Sequence, residues 1–188
     1  MKKLNLFLSF LILTVFSTSA QDDNENSKTV TFGAKAGYTT IILKVKVDSE
    51  SDSEDISGFY IGTFANIPLS QKLDLQPELL YSTYSEDGEN TGVLQLPILL
   101  KYNVDDRFGL VVGPQLDFLT DDDDAAGIKR VGVGIAGGIA FDITDELFMD
   151  ARYSFGLYDR LSSGLPGFEE FDVKTYFNYL HIGLGYRF

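Results

Sequence analysis

The chain has 188 residues, with 28 Asp and Glu against 15 Lys and Arg, a formal net charge of −13 and no cysteine. The acid excess excludes a surface that tracks nucleic-acid phosphates, which needs clustered Lys and Arg; the missing thiols exclude a disulfide framework, a lipoprotein anchor and thiolate chemistry. No run beyond the first twenty residues is apolar enough for a spanning helix, so any membrane insertion has to use β-structure, which satisfies its backbone by closing a sheet.

Lys2 and Lys3 precede an apolar stretch over residues 4–16, and Ser17, Thr18, Ser19 and Ala20 follow as small residues. This order predicts an export signal over 1–20, with the mature chain starting at Gln21. The apolar run falls short of the roughly twenty residues a spanning helix requires. A polar, acidic leader over 21–28 comes next, and 29–188 reads as a single domain.

That domain breaks into eight alternating segments, near 29–42, 57–69, 72–84, 92–104, 108–120, 129–143, 147–158 and 174–188. Glycine and aromatic content, with turn signals between segments, favours strands over helices. The connections at 70–71, 105–107 and 144–146 are tight turns, whereas 43–56, 85–91, 121–128 and 159–173 are longer and richer in Asp, Glu, Ser and Gly. Short turns on one rim and long polar loops on the other is the asymmetry of an outer-membrane barrel, with the turns in the periplasm. The prediction is therefore an all-β fold, an eight-stranded antiparallel up-and-down transmembrane β-barrel.

Alternation assigns two faces. In the third segment Leu73, Leu75, Leu79 and Tyr81 oppose Asp74, Gln76, Glu78 and Ser82; in the fourth Leu94, Leu96, Ile98, Leu100 and Tyr102 oppose Gln95 and Lys101. The fifth sets Leu110, Val112, Leu116 and Phe118 against Gly109, Gly113, Gln115 and Asp117, and the sixth sets Val131, Val133, Ile135, Ile139 and Phe141 against Arg130, Gly132, Gly134, Gly138 and Asp142. In the seventh, Met149, Ala151, Tyr153 and Phe155 oppose Asp150, Arg152, Ser154 and Gly156. An eight-stranded barrel encloses only enough room for side chains, so the small, glycine-rich face belongs inside and the bulky apolar face meets lipid. Pro77, Pro97 and Pro114 fall inside three consecutive strands, where each removes a ladder donor; bulges or locally opened hydrogen bonding are expected there.

The last segment places Tyr176, Leu180, Ile182, Leu184, Tyr186 and Phe188 on one face and Tyr179, His181, Gly183, Gly185 and Arg187 on the other. It is expected to close the barrel against the first segment, with Tyr186 and Phe188 in the aromatic girdle of the turn rim.

Taken together, Phe32-Gly-Ala-Lys-Ala-Gly37, Leu75-Gln-Pro-Glu-Leu-Leu-Tyr-Ser82, Leu96-Pro-Ile-Leu-Leu-Lys-Tyr102, Gly113-Pro114, Ala151-Arg-Tyr153 and Gly183-Leu-Gly-Tyr-Arg-Phe188 resemble a family of small outer-membrane β-barrel domains. It includes the porin-family and PorT-like proteins of Bacteroidota. The resemblance spans the mature chain and implies an eight-stranded barrel of the OmpA and OmpX type in the cell outer membrane. It further implies that the barrel-assembly machinery is a partner, reading Tyr186 and Phe188 as its signal. It carries over no catalytic constellation.

Five positive groups on the predicted lumen face, Lys35, Lys101, Arg130, Arg152 and Arg187, meet five negative ones, Asp74, Glu78, Asp117, Asp142 and Asp150. Buried charges have to pair, so a structural network of salt bridges is expected rather than a selectivity ring, with Glu78 and Lys101 as the leading pair. Gly132-Val-Gly-Ile-Ala-Gly137 matches a dinucleotide-binding spacing, but it lies within an alternating run instead of a strand-to-helix turn; its glycines instead make room for Arg and Lys stems. The acidic tracts 48–55 and 121–124 lack the spacing of a calcium loop, and His181, the lone histidine, points inward, away from lipid. No cofactor, metal or catalytic residue is predicted. The expectation is a non-enzymatic barrel with a structural or surface-interaction role, its partners being outer-membrane lipids and a surface partner at the longer loops, among them the partly apolar stretch 161–171. A narrow diffusion channel and a rim-located lipid hydrolase are the alternatives.

Overall fold

A computed structural model describes residues 29–47, 50–86, 89–120, 129–160 and 173–188. The predicted signal, the leader and the loops 121–128 and 161–172 lie outside the described residues. Eight antiparallel strands follow in chain order: β1 Thr31–Val47, β2 Glu50–Pro68, β3 Leu73–Glu86, β4 Glu89–Asn103, β5 Phe108–Leu119, β6 Val131–Asp142, β7 Leu147–Gly156 and β8 Val173–Arg187. Each pairs with its neighbours in sequence, and β8 returns to β1 to close the barrel.

The closure runs from Gly33 opposite Arg187 to Val47 opposite Val173, so the last segment is the closing strand, as its alternation predicts. Phe188 extends the seam, its amide donating to the Phe32 carbonyl at 2.8 Å.

Three tight turns form one rim. In each, the first polar side chain accepts from the amides two and three residues on: Ser70 Oγ from Lys72 and Leu73, Asp105 Oδ1 from Arg107 and Phe108, and Thr144 Oγ1 from Glu146 and Leu147. These side chains stand in for ladder partners that the turning backbone lacks. The two Asp105 bonds, at 2.8 Å each, hold its carboxyl below the usual carboxylate range.

The opposite rim departs from expectation. The stretches 43–56 and 85–91 were expected as loops, yet β1 and β2 stay paired out to Val47 opposite Glu50, and β3 and β4 out to Glu86 opposite Glu89. Val45, Val47 and Ile56 alternate with polar neighbours and continue the period-two pattern past the predicted strand ends. Acid content read as loop is here compatible with a solvated strand edge. Against β3, β2 pairs only as far as Gly58 opposite Tyr84.

Each strand proline opens the ladder towards the preceding strand and leaves the register intact. Around Pro77 the β2–β3 pairing passes from Phe64–Glu78 to Ile67–Leu75. Near Pro97 the β3–β4 pairing passes from Pro77–Ile98 to Leu80–Gln95, and by Pro114 the β4–β5 pairing passes from Pro97–Gln115 to Leu100–Val112. Of the two expected forms, opened hydrogen bonding is the one adopted, since a proline offers no donor. A bulge would have flipped every later side chain to the other face.

The outer surface is a belt of exposed apolar side chains, among them Ile61, Ile98, Val112, Ile139, Phe155 and Leu184. Phe32, Tyr102, Phe141, Tyr186 and Phe188 ring the turn rim from outside, all exposed.

Candidate functional site

The barrel interior gathers most of the chain's buried charge, and it is stacked in layers. Cross-strand pairing of large with small residues makes this stacking sterically feasible. Phe148 lies opposite Gly185, Phe64 opposite Gly33, Arg152 opposite Gly138 and Asp117 opposite Gly132. A Cβ on Gly185 would sit 2.2 Å from the Phe148 ring, and one on Gly138 would sit 2.6 Å from Arg152 Cγ. Glycine on one strand thus gives its neighbour's side chain room to cross the lumen.

At the turn rim Asp142 joins two cations, Arg187 Nη2 at 2.5 Å and Lys101 Nζ at 3.7 Å. Asp74 accepts from Asn103 Nδ2 at 2.8 Å. Above this cluster Phe64 and Phe148 meet edge to face, their ring centroids 5.3 Å apart. The Arg187 guanidinium lies 4.5 Å from the Phe148 centroid, with Lys35 Nζ at 5.7 Å and Lys101 Nζ at 5.9 Å. The negative ring face attracts them.

The midplane holds two cations and two anions. Lys35 Nζ reaches Asp150 Oδ2 at 2.6 Å and Glu78 Oε1 at 3.4 Å; Arg152 reaches Glu78 Oε2 at 2.8 Å and Asp150 Oδ2 at 2.9 Å. All four residues are at least 95% buried, and Gln76 Nε2 donates to Glu78 at 2.6 Å. Both carboxylates therefore bridge both cations, and the cluster is formally neutral.

Next, Ser82 Oγ and His181 Nε2 both donate to Gln95 Oε1, at 3.0 and 2.9 Å, and Tyr60 packs edge-on against the His181 ring. Nearer the loop rim Asp117 Oδ2 accepts from Tyr179 at 3.1 Å and pairs with Arg160 Nη1 at 2.8 Å. The Arg160 guanidinium lies 4.6 Å from the Phe177 ring centroid. Ile41, Tyr84, Val93, Phe177 and Tyr179 form a buried apolar cluster there, with Leu43, Ile56 and Leu119 against it.

Nine of the ten residues predicted from sequence thus line the interior or its turn-rim mouth, and Arg130 does not. It precedes β6 at the loop rim and is exposed. Asp117 pairs with Arg160, a buried cation outside the predicted set. Strand parity alone does not keep a residue inside once the strand has ended. The expected Glu78–Lys101 pair is replaced as well: Lys101 lies opposite Asp74 in the register and bonds Asp142, while Glu78 is held by Lys35 and Arg152. Four residues separate Asp74 from Glu78, about 13 Å along a strand, so the two charges sit in different layers.

Sequence reading missed Arg160 and the interior aromatics Tyr60, Phe64, Tyr84, Phe148 and Phe177. Arg160 follows β7 in what reads as a loop, and no periodic signal marks it. Phe148 was legible in principle, because it shares parity with Asp150 and Arg152. His181 lies inside on Gln95, away from lipid.

Comparison with known proteins follows the same lines. The family model described as outer membrane protein beta-barrel domain matches residues 8–188. No curated protein matches the chain. Among solved structures it is similar to Neisserial surface protein A, with 14% identity, TM-score 0.53 and coverage of 86% of this chain and 100% of that one. It is also similar to Ail, the attachment invasion locus protein of Yersinia pestis, with 13% identity, TM-score 0.51 and coverage of 86% and 100%. A third likeness is to the outer membrane protein AlkL in lipid bilayers, with 12% identity, TM-score 0.50 and coverage of 89% and 97%. At these identities the likeness is one of fold.

Proposed function

The chain belongs to the outer membrane protein β-barrel domain family, and on that premise we propose that it is a non-enzymatic, non-conducting barrel that serves a structural or surface-interaction role. In this reading it reaches the outer membrane by signal-directed export, its turns face the periplasm and its loop rim faces outward.

The observation that carries the proposal is the filling of the lumen beyond its turn-rim mouth. An ion entering from the turn side meets the Phe64–Phe148 pair, then the neutral Lys35, Glu78, Asp150 and Arg152 cluster, then the apolar plug around Phe177. Each layer offers a barrier of a different kind, steric, then ion-paired, then dewetted. Conduction would require side chains from at least four strands to move together. The midplane cluster costs desolvation that only mutual pairing offsets, which supports a structural rather than a permeation role for these charges.

Nothing in this arrangement supports lipid hydrolysis. The single histidine is sealed inside, and its Nε2 is used by Gln95, so it is not placed to activate a rim nucleophile towards lipid. What remains for function is the outer face, in contact with outer-membrane lipids, and the loop rim, where β2 begins with the acidic residues 50–55.

Planar-bilayer recording of the refolded protein tests the proposal. No stable current steps are expected, and reproducible open-channel steps of the wild-type protein would overturn it in favour of a narrow diffusion channel. Lipid mass spectrometry before and after expression should show no change attributable to the barrel.

A further inference from the structure

A vestibule of about 830 Å³ opens at the turn rim, and Lys101 and Arg187, which line it, lie over the Phe148 ring. Asp74, on β3, lines it and is only 4% exposed. One of its carboxylate oxygens is used by Asn103, and the other, Oδ1, is buried with no hydrogen-bond partner. Asn66, on the adjoining β2, lines the same vestibule, and its Oδ1 is also buried without a partner.

The neighbouring cations are engaged elsewhere. Lys101 is directed to Asp142, and Arg187 donates to Asp142 and to the Asp145 carbonyl at 2.9 Å. Two buried acceptors on one cavity, one of them charged, call for a ligand that brings donors and positive charge. Among the described residues no group of three His, Cys, Asp or Glu side chains converges to hold a metal. A divalent ion would find one carboxylate and one amide beside Lys101, too few oxygens for a hard cation. A primary ammonium needs only acceptors for its three N–H bonds. The mouth of the vestibule adds Asp105, Asp106 and Asp145, all exposed, facing Lys72, a field that draws cations inward.

We propose that this vestibule binds primary alkylammonium compounds, with linear polyamines as the ligand class. One ammonium donates to Asp74 Oδ1 and Asn66 Oδ1, and a second, carried on an alkyl chain, lies among the acids of the mouth. Lys101 and Arg187, lying over Phe148, separate the vestibule from the midplane cluster, so the ligand is held rather than passed. An aminophospholipid headgroup carries the same ammonium, but its phosphate would face the acidic mouth, which disfavours it.

Titration of the refolded protein in nanodiscs with spermidine, followed by calorimetry and by amide chemical shifts, tests the site. Saturable binding is expected, with shifts concentrated at Asn66, Asp74 and Asn103. Butylammonium should compete, whereas tetramethylammonium, with the same charge and no N–H, should not. Asp74→Asn should bind about tenfold more weakly, as expected for the loss of a charge-assisted hydrogen bond, and Glu54→Gln at the other rim should bind as wild type. Equal competition by tetramethylammonium or magnesium would reduce the effect to charge screening and overturn the proposal, as would an absence of shifts at those three residues. Tighter binding of glycerophosphoethanolamine than of spermidine would overturn the polyamine assignment. If Asp74→Asn does not refold, the wild-type shift map and the tetramethylammonium comparison decide the matter.

Discussion

Individual residues in the lumen are held by mutual dependence. Glu78 and Asp150 each touch both Lys35 and Arg152, so removing one member leaves an uncompensated charge in a dry interior. Arg152→Met should lower stability by about 3–5 kcal/mol, read from denaturant unfolding of the barrel in detergent or vesicles; an unshifted midpoint would contradict the buried cluster. Lys101→Met should cost distinctly less, because its partner Asp142 is partly exposed and is also held by Arg187. At the turns, Asp105 accepts two amide bonds as a carboxylate, which depresses its titration. The turn is therefore strengthened above the ordinary carboxylate range and loses that support as pH falls through the depressed value. Hydrogen exchange at Arg107 and Phe108 should accelerate in that acidic window and should do so at neutral pH in Asp105→Ala. The membership of the lumen set was legible from parity within the strands. Its pairing was not, because which charge lies at which depth depends on strand stagger around a closed barrel, and the Glu78–Lys101 expectation failed on that point.

Single elements show how small residues set the barrel's shape. β8 passes Phe148 and Tyr60 with Gly185 and Gly183, whose Cβ atoms would fall 2.2 Å from the Phe148 ring and 2.1 Å from the Tyr60 hydroxyl. Gly185→Ala should destabilise by about 1–3 kcal/mol through overpacking, and Phe148→Leu should partly restore it; independent, additive effects in the double variant would count against that contact. β8 also carries the seam, with the Tyr186 and Phe188 rings 5.9 Å apart on the outer face. We propose that this pair helps the assembly machinery engage the strand. Alanine at both positions should slow assisted insertion into proteoliposomes more than it lowers the stability of barrels already folded. Equal effects on both would reduce the pair to ordinary girdle residues. Strand ends were the least legible feature at this scale: acidic residues over 43–56 suggested a loop, yet alternation continued through them and β1 and β2 remained paired.

For the molecule as a whole, closure and filling are one problem. Eight strands make a tube whose bore is about the width of side chains, so the described lumen charges of the midplane and loop-rim layers are paired within the tube. Two of the three charged layers carry their own counter-charges, Lys35 and Arg152 with Glu78 and Asp150, and Arg160 with Asp117; at the turn rim Lys101 and Arg187 both pair with Asp142, and Asp74 keeps one oxygen without a partner. Pairing within the two inner layers means that neither depends on ions from solution, in keeping with the absence of current steps expected in planar bilayers. It also leaves the chain's acid excess at the rims, where water and counter-ions screen it.

By itself the sequence determined the class of fold, the number of strands, the closing role of the last one and the face each strand turns to lipid. Those properties are local: they follow from a period of two, from turn-forming residues and from the bore of an eight-stranded tube. Only the tertiary structure decided that Arg160 meets Asp117, that Lys101 serves Asp142 rather than Glu78, and that the turn-rim vestibule contains two unpartnered oxygens. Those properties depend on stagger, on how far strands run past their neighbours and on the backbone bonds that hold Arg160 between Lys129 and Thr175 after β7 ends. They are set by contacts between residues as far apart as Lys35 and Asp150, which a one-dimensional pattern does not encode.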